Sequence, residues 1–211
     1  EQNILKTYKE AGYYLATVQT DTNAAPDGKT VLVTFEITEG PQIEIREINF
    51  IGNQSIPSKT LSKQIKTRVG KRFDEGLFEQ DLITLLHYYQ DGGHAHAKIS
   101  GYEKRFTEDK TGLMLDIPVD EGPQYIVGTY SITIQQSEKP AFSEGKIREM
   151  LNPAEGEIFN RGAFQNTLDT IEQGYRDKGY ILSEITPIPH YDEINGTVDM
   201  ALNIVEGDVI I

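Results

Sequence analysis

The feature that most constrains this chain is that it repeats itself. Three stretches share a tyrosine, three further residues, a glycine and then an aromatic ring: Tyr8-Lys9-Glu10-Ala11-Gly12-Tyr13, Tyr89-Gln90-Asp91-Gly92-Gly93-His94 and Tyr175-Arg176-Asp177-Lys178-Gly179-Tyr180. A second signal starts 27 or 28 residues past each glycine: Glu39-Gly40-Pro41, Glu121-Gly122-Pro123 and Glu206-Gly207-Asp208. The copies recur at 81 and 86 residues, too long for a solenoid unit of roughly 20–45 residues and right for a small domain. The chain therefore reads as beads on a string.

Inside each copy the hydrophobic period changes from helical to strand-like. Phe78, Leu82, Leu85, Leu86 and Tyr89 form one apolar stripe, as do Phe164, Leu168, Ile171 and Tyr175. Asp74 and Asn160 stand where an N-cap belongs, while Gly92-Gly93 and Gly179 stand where a left-handed stop belongs. In the first copy, Ile4, Leu5 and Tyr8 match only the last turn of this helix. Its recurrent tyrosine and those at 89 and 175 read as core residues closing the helix onto a sheet.

Strict alternation follows in Val31, Val33, Phe35, Ile37; in Leu113, Leu115, Ile117, Val119; and in Val198, Met200, Leu202, Ile204, which predicts strands with one buried face. The loops before them, Pro26-Asp27-Gly28, Glu108-Asp109-Lys110 and Glu193-Ile194-Asn195-Gly196, have hairpin chemistry. Pro118 belongs near a strand end. Before the long helices, Ile43 and Ile45 are out of phase with Ile48 and Phe50, and Tyr125 and Val127 with Tyr130, Ile132 and Ile134. That slip predicts a bulge or an elbow. Ser58 to Lys66 and Ser143 to Leu151 read as one or two helical turns.

The predicted class is α+β: tandem β-α-α-β-β modules, each a three-stranded mixed sheet with two helices on one face. The expected boundaries are 1–41 for a partial module holding the second helix and two strands, 42–123 for a complete module, and 124–211 for another.

Composition narrows the function. With 33 acidic against 20 basic side chains the net charge is −13, which disfavours phosphate backbones, so no nucleic-acid partner is expected. There is no Cys, hence no thiolate nucleophile and no Cys-ligated metal. His94-Ala95-His96 would put two imidazoles on one side of an extended segment, but no further ligand stands at zinc spacing. These are expected to be solvent-exposed loop histidines, and neither metal nor cofactor is expected. The carboxylates spread over polar faces, and neither a nucleophile elbow nor a phosphate loop is present, so the chain does not read as an enzyme.

Taken with Ile48-Asn49-Phe50-Ile51-Gly52-Asn53 in the middle copy, the element order, the Tyr-x-x-x-Gly-aromatic sequence and the closing Glu-Gly-Pro resemble the POTRA domain of outer-membrane assembly proteins of the BamA type. That resemblance implies a periplasmic array on the outer membrane, a membrane β-barrel C-terminal to it in the same polypeptide, unfolded outer-membrane protein clients and accessory assembly lipoproteins as partners. Related settings for the fold are a two-partner secretion transporter and a division-site scaffold. The family's topology makes the second strand an edge, able to accept an extended peptide as an added strand.

That edge would be Thr17 to Thr22 in the first copy, Lys98 to Arg105 in the middle one and Glu184 to Tyr191 in the third. Pro187 and Pro189 remove two donors on one side, which blunts the third edge. The middle edge, Lys98, Ile99, Ser100, Gly101, Tyr102 and Lys104, is the expected peptide site, with a bulge at Ser100-Gly101 and positive charge beside it. Lys59, Lys63, Lys66 and Arg68, in a run with no acidic residue between Ser55 and Phe73, form a candidate docking face for an acidic partner. Gly40-Pro41 and Gly122-Pro123 are expected hinges of restricted swing. By copy, residues 1–41 carry 3 basic and 6 acidic residues, 42–123 carry 11 and 13, and 124–211 carry 6 and 14, so the acidity concentrates in the last.

Overall fold

The computed structural model describes residues 1–24, 26, 30–135 and 140–210; Asp27 and Gly28 of the first expected hairpin turn lie outside them. The chain is α+β and divides into two units, residues 1–85 with 99–119 and residues 86–98 with 120–211. The boundary falls inside the long helix of the middle copy.

The first unit opens with α1 (Gln2–Glu10) and an antiparallel pair, β1 (Thr17–Ala24) and β2 (Val31–Thr38). Val31, Val33, Phe35 and Ile37 were expected on a buried face, yet they are 61, 45, 45 and 36% exposed. The nine residues of α1 and a single partner strand leave that apolar face largely uncovered. Next come β3 (Glu44–Ile51), α2 (Ser58–Gln64) and α3 (Glu75–Asp91), where Asp74 Oδ1 accepts the Leu77 N–H at 3.0 Å as the N-cap position requires.

The strand expected over Lys98 to Arg105 is broken in two, β4 (Lys98–Ile99) and β5 (Glu103–Phe106), before β6 (Gly112–Asp120). Ser100, Gly101 and Tyr102 leave the ladder entirely, which is more than the bulge expected at Ser100-Gly101. Gly101 has φ +103, a conformation that turns the chain out of the strand. β6 is central: parallel to β3 on one side, antiparallel to β5 on the other, with β4 in the same sheet. The alternating apolar side chains account for the core, where Ile43, Ile45, Leu61, Phe78, Leu85, Leu113, Leu115 and Ile117 are all 0% exposed. Burying each such side chain contributes about 1.5–3 kcal/mol.

The second unit repeats the plan with β7 (Ile126–Gln135), α4 (Glu144–Met150), α5 (Arg161–Asp177), β8 (Glu184–Asp192) and β9 (Thr197–Val205), in the sheet order β7-β9-β8. Ser143 and Asn160 cap the helices, accepting from Lys146 N–H at 3.2 Å and Ala163 N–H at 2.7 Å. Tyr125, Val127, Ile147, Ile171, Tyr175, Val198, Leu202 and Ile204 form its core.

Both expected phase slips are bulges, between Ile45 and Glu47 and between Val127 and Tyr130. Each frees the start of the first strand to bond sideways to the loop between the helices. Ile45 N–H donates to Lys71 O at 2.9 Å, and Val127 N–H donates to Glu157 O at 2.8 Å. The outer edge of each first strand is thus partly covered.

Candidate edge-strand docking site

In both sheets the second strand of the copy lies outermost. Thr107 N–H donates to Gly112 O at 2.9 Å, so with period 2 the backbone groups of Glu103 and Arg105 face β6 while those of Lys104 and Phe106 face outward. β8 runs unbroken through Pro187 opposite Leu202 and Pro189 opposite Met200. Since proline has no N–H, both must occupy outward positions, and that edge lacks two of its outward donors.

Of the positive charges expected beside the middle edge, Lys104 and Arg105 are engaged rather than free, while Lys98 stays exposed. Lys104 donates to Glu75 Oε1 and to the Tyr14 hydroxyl, the latter at 2.5 Å, and its ammonium sits 4.6 Å from the Tyr14 ring centroid and 5.2 Å from that of Tyr102. The Tyr102 hydroxyl also donates to Glu75 Oε1, at 3.0 Å. Arg105 pairs with Asp116 in a two-pronged contact of 2.5 and 2.9 Å. Lys98, Ile99, Ser100 and Gly101 remain at the surface, either exposed or half-buried.

Burial pushes the Glu75 carboxyl up, but hydrogen bonds from Lys104, Tyr14 and Tyr102 and the Lys104 charge outweigh it and hold the group at about 2. Burial and the same carboxylate raise the Tyr14 and Tyr102 hydroxyls. A depressed carboxyl contributes stability above its unfolded pKa, and that contribution is lost as pH falls toward the folded value. Glu75→Gln is therefore expected to flatten the fall in stability between about pH 4.5 and 2, with a difference from wild type of about 1 kcal/mol at pH 6 after allowing for its 38% side-chain exposure. Parallel acid-unfolding curves for the two proteins would contradict this.

The two repeated motifs meet in space. Tyr89 donates to Glu121 Oε1 at 3.0 Å in a buried bond, and Tyr8 donates to Glu39 Oε1 at 3.2 Å. In the third copy the buried Glu206 turns Oε1 to the Ala141 N–H at 2.7 Å, and the Tyr175 hydroxyl beside this carboxylate makes no bond of full hydrogen-bond geometry among the described residues. Burial, then the neighbouring Glu206 charge, raises the Tyr175 pKa. Tyr89 and Tyr175 are fully buried as expected, whereas Tyr8 is half-buried.

The expected hinge glycines have positive φ, +70 at Gly40 and +59 at Gly122. Just past each Gly-Pro the chain bonds back to the glycine of the earlier motif: Ile43 N–H to Gly12 O at 3.0 Å and Tyr125 N–H to Gly93 O at 2.9 Å. The expectation of exposed loop histidines fails at His94, which is 3% exposed. It occupies the aromatic position of the motif, edge-on to Tyr89, with Nδ1 3.2 Å from Gly122 O. His96 is exposed and packs instead on Tyr191, at 4.3 Å between centroids.

Lys59, Lys63, Lys66 and Arg68 are all exposed and form no ion pair among the described residues. The Arg68 guanidinium donates to the Ile65 carbonyl and, at 2.9 Å, to that of Thr67. Beneath this run the buried Asp81 accepts the Lys66 and Thr67 N–H groups, each at 2.8 Å. Sequence reasoning missed Asp81, Glu75 and Tyr14. For the tyrosine–carboxylate pairs the signal was the constant interval between motifs, 31 or 32 residues.

Residues 43–122 and 130–207 match the family described as POTRA, surface antigen variable number repeat. The chain is 25% identical over 215 residues to a putative outer membrane protein assembly factor of Treponema pallidum, a match covering 98% of the chain and 25% of that protein. It is 28% identical over 184 residues to outer membrane protein assembly factor BamA of Neisseria meningitidis, covering 83% and 23%. It thus spans about a quarter of the length of these relatives. The crystal structure of Haemophilus influenzae BamA POTRA3-5 shares the fold, with a TM-score of 0.65 at 23% identity over 79% of this chain and 67% of that one.

Proposed function

The chain belongs to the POTRA family, and on that premise we propose that it is the periplasmic scaffold and client-docking part of a longer outer-membrane assembly factor. It acts by holding other chains, not by catalysis. In this reading residues 1–41 are part of one module, 42–123 and 124–211 are two complete ones, and a membrane β-barrel follows in the same polypeptide. Unfolded outer-membrane proteins are the clients, and accessory lipoproteins are the stable partners. The names of the curated relatives, both assembly factors, support this setting. Among the described residues no helix is long and apolar enough to cross a membrane.

The observation that carries the docking reading is the outward backbone of β5. Lys104 and Phe106 present N–H and C=O groups away from β6, and an extended client can bond to them as an added strand almost regardless of its sequence. The exposed flank from Lys98 to Gly101 leaves room for the client to run on, while Tyr102 and Lys104 hold the strand in place from beneath. Lys59, Lys63, Lys66 and Arg68 supply a face for an acidic lipoprotein surface. Gly40-Pro41 and Gly122-Pro123, tied back by the Ile43 and Tyr125 amides, let the modules bend only within limits.

Two proline variants separate docking from folding. Phe106→Pro removes an outward donor and is expected to cut photo-crosslinking of an unfolded outer-membrane protein segment to β5 about fivefold or more, with the unfolding midpoint little changed. Arg105→Pro removes an inward donor and is expected to destabilise the sheet itself. Undiminished crosslinking in a folded Phe106→Pro protein would sink the augmentation reading.

A further inference from the structure

The groove between the long helix and the outermost strand is filled in the middle copy and open in the third. In the middle copy Tyr14 packs 5.4 Å from Phe73 and Tyr102 packs 4.7 Å from Phe78, centroid to centroid, with Lys104 and Glu75 closing the space. The motif offsets put Ala95 where Tyr14 stands, both being second after the motif glycine. The same alignment puts Arg161 in place of Glu75, strand register puts Pro189 in place of Lys104, and Pro187 then falls at the sequence position of Tyr102, two residues earlier. Each filling group is thus replaced by a smaller one or by one of opposite charge, and a cavity of about 330 Å³ results. Phe159, Phe164, Leu168 and Met200 from the core form its floor, with Pro187 and Pro189 on the strand side and Gln165 and Arg161 as its polar groups on the helix side.

Arg161 at its rim is the unusual residue. It stands at the first position of α5, where the helix dipole disfavours a cation, whereas Glu75 heads α3 with the favourable sign. The Asp91 carboxylate nearby is bonded to the Gly162 N–H at 2.8 Å. Of the other described cations in this acidic copy, Lys146, Arg148 and Arg176 are ion-paired and Lys178 donates to the Ala141 carbonyl. Arg161 forms no ion pair among the described residues, and its charge reaches Tyr191 on the groove wall, where it partly offsets the rise that burial causes.

We infer that this groove binds a peptide through one large apolar side chain, with Arg161 pairing a carboxylate on the adjoining residue. The volume accepts a single aromatic or branched side chain, and the unpaired cation sets the sign of what lies beside it. Backbone pairing contributes little, because the edge lacks donors at Pro187 and Pro189. This second site is separate from β5, and Phe106→Pro leaves it intact.

The test uses the full chain and two capped tetrapeptides, acetyl-Gly-Phe-Asp-Gly-amide and its Asn counterpart, titrated by NMR. The Asp peptide is expected to shift Ala95, Leu168 and Met200 signals and to bind about three- to fivefold tighter than the Asn peptide. Arg161→Gln is expected to erase that difference and leave the Asn peptide unchanged. Ala95→Tyr, which supplies the ring that fills the middle copy, is expected to abolish binding of both. Equal affinity of the two peptides for the wild-type chain, a difference that survives Arg161→Gln, or undiminished binding by Ala95→Tyr would each overturn the inference. Arg161 is exposed, so its variant decides the matter even if the tyrosine variant fails to fold.

Discussion

Gly52→Ala is expected to destabilise the first unit by about 3 kcal/mol. Gly52 directly follows β3 with φ +95, where an L side chain costs about 1–2 kcal/mol. A Cβ there would lie 2.3 Å from the Val119 carbonyl oxygen, and this neighbour is backbone in the central strand, unable to swing aside. Relief requires β3 and β6 to separate where Ile51 pairs with Pro118. Gly70 is the control, with φ +77 but nothing within 4 Å of where a Cβ would stand, so Gly70→Ala shows the backbone cost alone, about 1–2 kcal/mol. Chemical denaturation of both variants checks the difference, and equal losses would show that the close approach to Val119 is not what selects glycine.

Asp81→Ala is expected to cost a similar amount, about 3 kcal/mol. The carboxylate is 2% exposed and ties the loop that follows α2 to α3 by accepting the Lys66 and Thr67 N–H groups at 2.8 Å. Removing it leaves the Lys66 and Thr67 donors without their acceptor under a row of exposed cations. Asp81→Asn keeps one carbonyl oxygen and is expected to lose about half as much. The third copy reaches the same end with a neutral group: the Thr167 hydroxyl accepts the Asn152 N–H at 3.2 Å. Denaturation midpoints for the alanine and asparagine variants that match wild type would refute a structural role for this tie.

Much of the fold was legible because the apolar period and the caps agree. Asp74 and Asn160 cap the helices they precede, and both phase slips are bulges. Three things were not. Local alternation predicts a buried face over Val31 to Ile37, but burial depends on what the chain supplies to cover it, and there it supplies one short helix and one strand. The break at Ser100 to Tyr102 reads in sequence as a single bulge because the pull of Glu75 on Tyr102 and Lys104 is non-local. His94 reads as a loop residue because its role as the motif's aromatic ring outweighs its polarity only once the fold is formed. The candidate edge follows from topology, while Tyr14, Glu75 and Asp81, which decide what that edge can offer, carry no short-range signature.

Strand addition to β5 can be read residue by residue from amide exchange followed by NMR. With a saturating unfolded outer-membrane protein segment, the outward Lys104 and Phe106 amides are expected to slow about tenfold or more, while Glu103 and Arg105, already bonded to β6, change little. Binding that leaves Lys104 and Phe106 exchanging at their free rates would rule out strand addition at β5.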